Sequence, residues 1–324
     1  MKSLKNKTAL VTGGAGFIGS HLSQGLLDMG ARVIVLDDLS TGKKENMKDF
    51  LKNPKLFFIR GDANNLNTLK NIFASYKIDY VFHYAAKVGV VRTYEDPLGV
   101  LRDLEGFRPI LELSKKNKIK KAIFSSSSEV YGNPLELPSK EDGALNPKIP
   151  YAAAKLVGEH YFRFYFHKLG LPATALRFFN VYGPRQESSS YGFVTGIFIR
   201  QALEGKPLTV YGNGTQTRDF VFIKDNVRAA IATLFAPKTD GEVINLGSGK
   251  PSTILNLAKK IAKVSEDPKV KIKFVPRPEH DFILYRHPHV SKMKQLLGFL
   301  PEYSLEDGLR MTYDWYKQNY GKRN

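Results

Sequence analysis

Tyr151 and Lys155 stand four residues apart in Tyr151-Ala152-Ala153-Ala154-Lys155, a spacing that puts both side chains on one face of a helix. A phenol beside an ammonium is a proton-transfer pair. The positive charge lowers the phenol from its ordinary pKa of about 10 and brings a phenolate base within reach of neutral pH. Alone the pair means little, because Tyr-x-x-x-Lys recurs by chance. Its weight comes from what precedes it. Ser125-Ser126-Ser127-Ser128-Glu129-Val130-Tyr131-Gly132 follows an apolar strand, at the carboxyl end where doubly wound sheets hold ligands. A serine hydroxyl there could hydrogen-bond a substrate oxygen as its proton leaves, although three of the four serines are better read as turn formers.

A third group of residues opens the chain. Thr12-Gly13-Gly14-Ala15-Gly16-Phe17-Ile18-Gly19 lies between a strand-like run and an amphipathic helical pattern, the context in which glycines at this spacing cradle a pyrophosphate. Gly13 and Gly16 permit a tight turn and close backbone approach, the helix N-terminus meets the negative charge, and Gly19 lets helix and strand pack. The second strand ends in Asp37-Asp38, about 20 residues on, where a carboxylate accepts hydrogen bonds from adenosine ribose hydroxyls and repels a 2′-phosphate. The expected cofactor is therefore NAD, with Lys43 and Lys44 softening the exclusion of NADP. An oxidised nicotinamide would lower the tyrosine further. Asp62, after the third strand, either reaches the adenine or caps a helix.

These groups need a scaffold that alternates strands and helices. Strand-like runs at Thr8–Thr12, Arg32–Asp37, Lys55–Arg60, Tyr80–Tyr84, Lys121–Ser125 and Ala173–Phe178 alternate with helical spacing at Phe17–Met29, Leu66–Tyr76, within Thr93–Lys116, and at Tyr151–Lys168. The pattern predicts an α/β fold, a Rossmann-type doubly wound parallel sheet. Beyond Asn180 shorter strands and turns such as Tyr211–Gly214 predict a smaller mixed α/β C-terminal domain, with helices near Val194–Leu203, Asp225–Phe235, Ile254–Val264 and Leu305–Asn319. The run Glu242–Leu246 is apolar enough to return to the edge of the first sheet.

The chain has 324 residues, 42% of them hydrophobic, and no run near the roughly 20 apolar residues that span a bilayer. With no signal-like N-terminus, a cytoplasmic protein without membrane contact is expected. There is no cysteine, which removes disulfides, thiolate metal sites and cysteine nucleophiles, and no metal site is expected. The 49 Lys and Arg against 31 Asp and Glu leave +18, a field that favours anionic ligands. The lysines are scattered, and the densest cluster, Lys115, Lys116, Lys118, Lys120 and Lys121, reads as a solvated helix end. No aromatic-and-basic motif for nucleic acid is present.

Together these motifs resemble an extended short-chain dehydrogenase/reductase of the nucleotide-sugar epimerase, dehydratase and decarboxylase group. The resemblance runs through Thr12–Gly19, His83-Tyr84-Ala85-Ala86, Ser125–Gly132, Tyr151–Lys155, Arg177–Arg185, Arg218-Asp219-Phe220 and Asn245-Leu246-Gly247. It implies that Ser127 is the catalytic hydroxyl, Tyr151 the base and Lys155 its partner. By the same resemblance Ala85 contacts the cofactor, and Asn180, Arg218, Arg277 and Asp281 hold a UDP-sugar. Residues 1–180 would form the NAD-binding domain, completed by part of 222–248, and 181–324 the substrate domain. A homodimer is expected through the helices near Thr93–Lys116 and Tyr151–Lys168, where Phe162, Phe164, Tyr165 and Phe166 exceed what one sheet face can bury. Asp103 stands where the group usually has Asn, and reads as a helix-surface carboxylate.

The group shares one opening step, oxidation of the sugar at C4, and then diverges. Dehydratases carry an Asp-Glu pair after the catalytic hydroxyl; here Ser128-Glu129 keeps the base, Glu129, and lacks the acid. Ser-Glu and Arg286-His287-Pro288 resemble the uronate decarboxylases, whose arginine faces the carboxylate. Tyr-Ala-Ala-Ala-Lys and Arg218-Asp219-Phe220 resemble the epimerases. The sequence therefore ranks a UDP-hexose 4-epimerase first, a UDP-glucuronate decarboxylase second and a 4,6-dehydratase third. A cofactor-binding regulatory protein of the same fold stands behind them, disfavoured by the retention of Ser127, Tyr151 and Lys155.

Overall fold

Short aliphatic runs bounded by charged residues and glycines form the sheet. The computed structural model describes residues 3–189, 192–278 and 283–320. Thr8–Thr12 (β1) leads through the glycine turn into Phe17–Asp28 (α1), then Arg32–Asp37 (β2), Leu56–Arg60 (β3), Leu66–Ser75 (α2) and Tyr80–His83 (β4). The single helical stretch expected within Thr93–Lys116 is broken into Val90–Glu95 (α3), Arg102–Glu105 (α4) and Phe107–Lys116 (α5). Pro97 and Gly106 account for the interruptions, and Pro109 is tolerated because it lies in the first turn of α5, where N–H groups have no helical partner.

Lys121–Ser127 (β5) follows, then Pro150–Leu169 (α6), which starts with proline at its first position and ends at Gly170, φ +67°. Ala173–Phe178 (β6) completes the run. Among the described residues the sheet has seven parallel strands in the order β10, β6, β5, β4, β1, β2, β3, where β10 is Val243–Leu246. Alternate residues face opposite layers. Ala9, Val11, Val33 and Val35 pack toward α1 and Ile223–Ala232 (α8), while Leu10, Ile34 and Leu36 pack toward α2, α5 and α6. Each fully buried aliphatic side chain contributes about 1.5–3 kcal/mol.

The second half adds Asn180–Tyr182 (β7), Val194–Leu203 (α7), Leu208–Tyr211 (β8), Thr217–Phe222 (β9), Pro251–Thr253 (β11), Ile254–Ser265 (α9), Ile272–Val275 (β12), Tyr285–Arg286 (β13), Ser291–Leu297 (α10) and Leu305–Tyr320 (α11). β9 lies between β11 and β13 and also pairs with β7, while β8 pairs with β12. Thus β9 links the end of β6 to the far C-terminal segment. The Thr253 hydroxyl caps α9 by accepting the Asn256 N–H at 3.0 Å.

Lys121 departs from the solvated lysine cluster. Its side chain is buried and its ammonium donates to Thr233 O at 2.9 Å and Thr239 Oγ1 at 2.6 Å beside Asp240. Lys121 therefore ties β5 to the turn before β10. No helix among the described residues is long and apolar enough to cross a membrane.

Candidate active site

The turn after β1 is close-packed against backbone. Gly13 has φ +70°, and a Cβ there would lie 2.8 Å from Ala85 N. A Cβ on Gly19 would lie 2.1 Å from Gly13 O, so neither position accepts a side chain without displacing the chain. Gly16 donates its N–H to Gly13 O at 3.1 Å and serves as the N-cap of α1 without a capping side chain. The first N–H groups of α1 are then available to an anion. Thr12 Oγ1 accepts from the N–H groups of Tyr84 (3.1 Å) and Ala85 (3.2 Å) and meets His83 Nδ1 at 3.0 Å, fixing the strand ends against each other. Burial lowers His83 to about 3, so its imidazole is neutral.

Asp37, at the end of β2, accepts the Ala15 N–H and the Leu39 N–H, each at 2.9 Å. Burial raises its pKa against those hydrogen bonds. Each carboxylate oxygen has further lone-pair capacity, so Asp37 both braces the turn and can take ribose hydroxyls. Asp38 is exposed and accepts from Ser40. Asp62 does not cap α2, since Asn65 does so through the Thr68 N–H; it pairs with Arg102 at 3.1 Å. Gly13, Gly16, Phe17, Ile18, Gly19, Asp37, Asp38, Asp62 and Ala85 all line one cavity of about 1060 Å³. The cradle that a Cβ would fill, the open helix N-terminus and the acidic strand end fit an NAD molecule.

The same cavity is walled by Ser127, Glu129, Tyr151, Lys155 and Asn180. β5 delivers the serines and α6 the Tyr-Lys pair. The Ser127 hydroxyl accepts the Glu129 N–H at 3.2 Å and stands near enough to the Tyr151 phenol to act on its ionisation. Lys155 is buried, donates to Ser125 Oγ at 3.4 Å, and lies 4.9 Å from the Phe124 ring centre and 5.6 Å from that of Tyr151. Burial lowers Lys155 to about 8, opposed by the charge of Asp103. The expected lowering of Tyr151 is not produced by these groups. Burial raises the phenol well above its ordinary value, the Ser127 hydroxyl only partly offsets this, and Lys155 sits beside the ring. A positive charge brought by the cofactor is what remains to make the phenolate accessible.

Behind the pair, α6 is locked to the sheet. Arg177 on β6 donates from Nε and Nη2 to Glu159 at 2.8 and 2.7 Å and from Nη1 to Tyr131 Oη at 2.7 Å. Tyr131 in turn donates to Asn245 Oδ1 at 2.7 Å. Ser126 donates to the same Glu159. Four residues of the recognised motifs thus form a buried brace.

Arg286 reaches the cavity from β13, where it pairs in register with Arg218 of β9. Its Nη2 donates to Glu129 Oε1 at 2.6 Å. The Arg286 side chain is 4% exposed and that of Glu129 18%. Burial alone would raise Glu129, but Arg286, with help from Arg218, holds it below the usual carboxylate range. Arg286 Nε and Nη1 and Asn180 Oδ1 are buried and have no hydrogen-bond partner among the described residues. Arg286 and Asn180 both line the cavity, which gives its wall a cationic and an amide side chain for a polar ligand.

Arg218 and Arg277 do not line this cavity. Arg218 donates to the carbonyls of Ile283 and Thr217, each at 2.9 Å, which anchors the segment that carries Arg286. Asp281, with Glu279 and His280, lies outside the described residues. Asp103 is where the surface reading fails: its carboxylate lines the cavity and accepts the Lys87 N–H at 2.9 Å. The signal was available as a departure from the usual Asn. Arg92 and Glu187, paired at 2.6 Å, also line the cavity; nothing in their spacing marks two residues so far apart in sequence.

A dinucleotide cradle, a Ser-Tyr-Lys cluster and a polar ligand pocket on one parallel sheet define an NAD-dependent enzyme of the dehydrogenase/reductase type acting on a polar substrate. Residues 9–247 match the model of the NAD dependent epimerase/dehydratase family, and the chain belongs to that family. It is 38% identical to the UDP-N-acetyl-alpha-D-glucosaminuronate decarboxylase of Bacillus cytotoxicus, over 96% of this chain and 98% of that one. It is 36% identical to a putative UDP-glucose 4-epimerase of Methanocaldococcus jannaschii, over 96% and 98%. The structure of UDP-glucuronic acid 4-epimerase from Bacillus cereus, in complex with UDP-glucuronic acid and NAD, superposes with a TM-score of 0.88 at 36% identity, covering 97% of this chain and all of that one. The family contains nucleotide-sugar epimerases, decarboxylases and dehydratases, and NAD is its cofactor.

Proposed function

We propose that the chain oxidises a UDP-linked uronic acid at C4 and releases its carboxyl group as carbon dioxide. The observation that carries this reading is Arg286, a guanidinium at the cavity wall paired through Nη2 with the ionised Glu129. A guanidinium at the cavity wall offers its positive charge to a substrate carboxylate. A neutral hexose offers at most a hydroxyl there. The sequence alone ranks epimerisation first; the charge of Arg286 at the cavity wall is what supports placing decarboxylation ahead of it.

When bound, NAD supplies the hydride acceptor and donor at C4. Tyr151 takes the C4 hydroxyl proton, Ser127 orients that hydroxyl, and the buried Lys155 ammonium stands beside the phenol ring. Asn180 accepts a hydrogen bond from the substrate. In the 4-keto uronate the carboxylate is β to the ketone. Arg286 positions it, the C5–C6 bond breaks, and the electron pair passes to C5 and the C4 oxygen, where the Tyr151 proton stabilises it. C5 then takes a proton from solvent water before C4 is reduced.

A second reading, a UDP-hexose 4-epimerase, is supported by Tyr151-Ala-Ala-Ala-Lys155 and by the closed Glu129–Arg286 pair, which is neutral as a unit and tolerates an uncharged C6 hydroxymethyl. Incubation with UDP-glucuronate, UDP-N-acetylglucosaminuronate, UDP-glucose and UDP-N-acetylglucosamine, followed by product separation, decides between them. Pentose products from the uronates support decarboxylation; 4-epimers alone refute it. Tyr151→Phe is expected to lower kcat by roughly 10²–10⁴ with NAD still bound.

A further inference from the structure

Lys155 is a buried ammonium that donates to the Ser125 hydroxyl at 3.4 Å, with two aromatic rings centred 4.9 and 5.6 Å away. A buried charge needs a counter-charge. The acidic groups around it are mostly committed. Glu159, one turn further along α6, is bound by Arg177 and Ser126. Glu129 is held by Arg286, and Asp37 by the N–H groups of the glycine turn and of Leu39. Asp103 differs. It comes from α4, which packs on α6, and lines the same cavity. Its Oδ2 accepts the Lys87 N–H, an interaction that fixes the carboxylate at the wall and pins the loop after β4.

We propose that Asp103 is a positioning residue for the proton-transfer pair, its carboxylate supplying the counter-charge that keeps Lys155 an ammonium and so setting the pH range in which Tyr151 acts. This rests on the reading of Tyr151 and Lys155 as that pair. The other groups facing Lys155 do not substitute: His83 is neutral, and Ser125 and Phe124 carry no charge. Asp103 also faces Tyr151, where it disfavours the phenolate, as does Glu129. The same carboxylate therefore delays ionisation of the phenol and holds the lysine charged to higher pH.

The sign follows. Burial brings Lys155 down to about 8, with Asp103 opposing. In Asp103→Asn the amide oxygen keeps the Lys87 N–H bond while the charge is lost, so Lys155 should lose its proton about one pH unit lower, a tenfold change in the ammonium fraction above neutrality. The alkaline limb of the kcat/KM profile should move down by that amount. Ionisation of Tyr151, followed by phenolate absorbance against Tyr151→Phe with and without NAD, should shift as well, a readout independent of turnover. Asp103→Glu should restore the wild-type limb. The proposal is overturned if Asp103→Asn leaves both profiles in place, or if it only lowers thermal stability and NAD content. If Tyr151→Phe retains activity, the reading of the pair itself fails, whatever Asp103 does.

Discussion

Removing Arg286 should make the protein's stability depend on pH in a direction set by Glu129. In the wild type the pair spans 2.6 Å with side chains 4% and 18% exposed. Taking one partner from a fully buried pair costs about 3–5 kcal/mol, and the partial exposure of Glu129 places this case below that, at about 2–3 kcal/mol. Glu129 is held below its ordinary value in the folded protein, so its contribution is fully present above the unfolded-state pKa of about 4.3 and fades as pH falls through the folded one. In Arg286→Met burial acts on Glu129 without the attraction of Arg286, its folded pKa rises, and the destabilisation is full above that raised value. The deficit relative to wild type should therefore be largest near pH 8 and shrink toward pH 5. Glu129→Gln in the Arg286→Met background should recover most of it. Urea unfolding at saturating NAD, followed by Trp315 fluorescence at the two pH values, measures each term. A deficit below about 0.5 kcal/mol, or one that does not narrow on acidification, would refute the reasoning.

Gly19→Ala puts a Cβ 2.1 Å from Gly13 O; an overpacking cost of about 2 kcal/mol should weaken NAD binding about 30-fold by calorimetry, whereas Gly205→Ala, with no atom within 4 Å, should leave affinity unchanged. Asp37→Ala removes the acceptor for the Ala15 and Leu39 N–H groups and should cost at least about tenfold in NAD affinity while narrowing the NAD over NADP ratio; an unchanged ratio counts against Asp37 as the selector. Tyr161 and Phe164 are exposed on α6 whereas Phe162 is wholly buried, so we propose a dimer through this face; Phe164→Glu should give a monomer by light scattering, and a wild-type monomer would sink the idea.

The parallel sheet was legible because its strands are buried on both faces and read as unbroken aliphatic runs; β1, β2 and β6 begin and end where the pattern placed them. β5 was expected to stop at Ser125 but continues to Ser127, because pairing with β6 carries polar residues that have no strand preference of their own. The two- and three-residue strands β7, β11 and β13 left no periodic signal, since tertiary pairing alone holds them. The NAD cradle and the Ser-Tyr-Lys cluster were visible because glycine spacing and helical spacing are local rules. Arg286 was noticed as a motif, but its pairing with Glu129 joins residues 157 apart in sequence, and no local rule reaches that far. Asp103 was misread for a related reason: its helix is four residues long, too short for periodicity to assign an inward face.

β13 is two residues long and is held by Tyr285 opposite Thr217 and Arg286 opposite Arg218. Successive strand residues point to opposite faces, so a slip of one position would turn the guanidinium away and bring the phenol of Tyr285 toward the substrate. The oxidising half of the site has no such sensitivity, since α6 is clamped by Arg177 and Glu159. On the proposed reading, oxidation of the sugar and the fate of the oxidised intermediate are therefore written in separable parts of the molecule. On that reading, insertions or deletions between β12 and β13 are expected to change the product while the first step is left as it was.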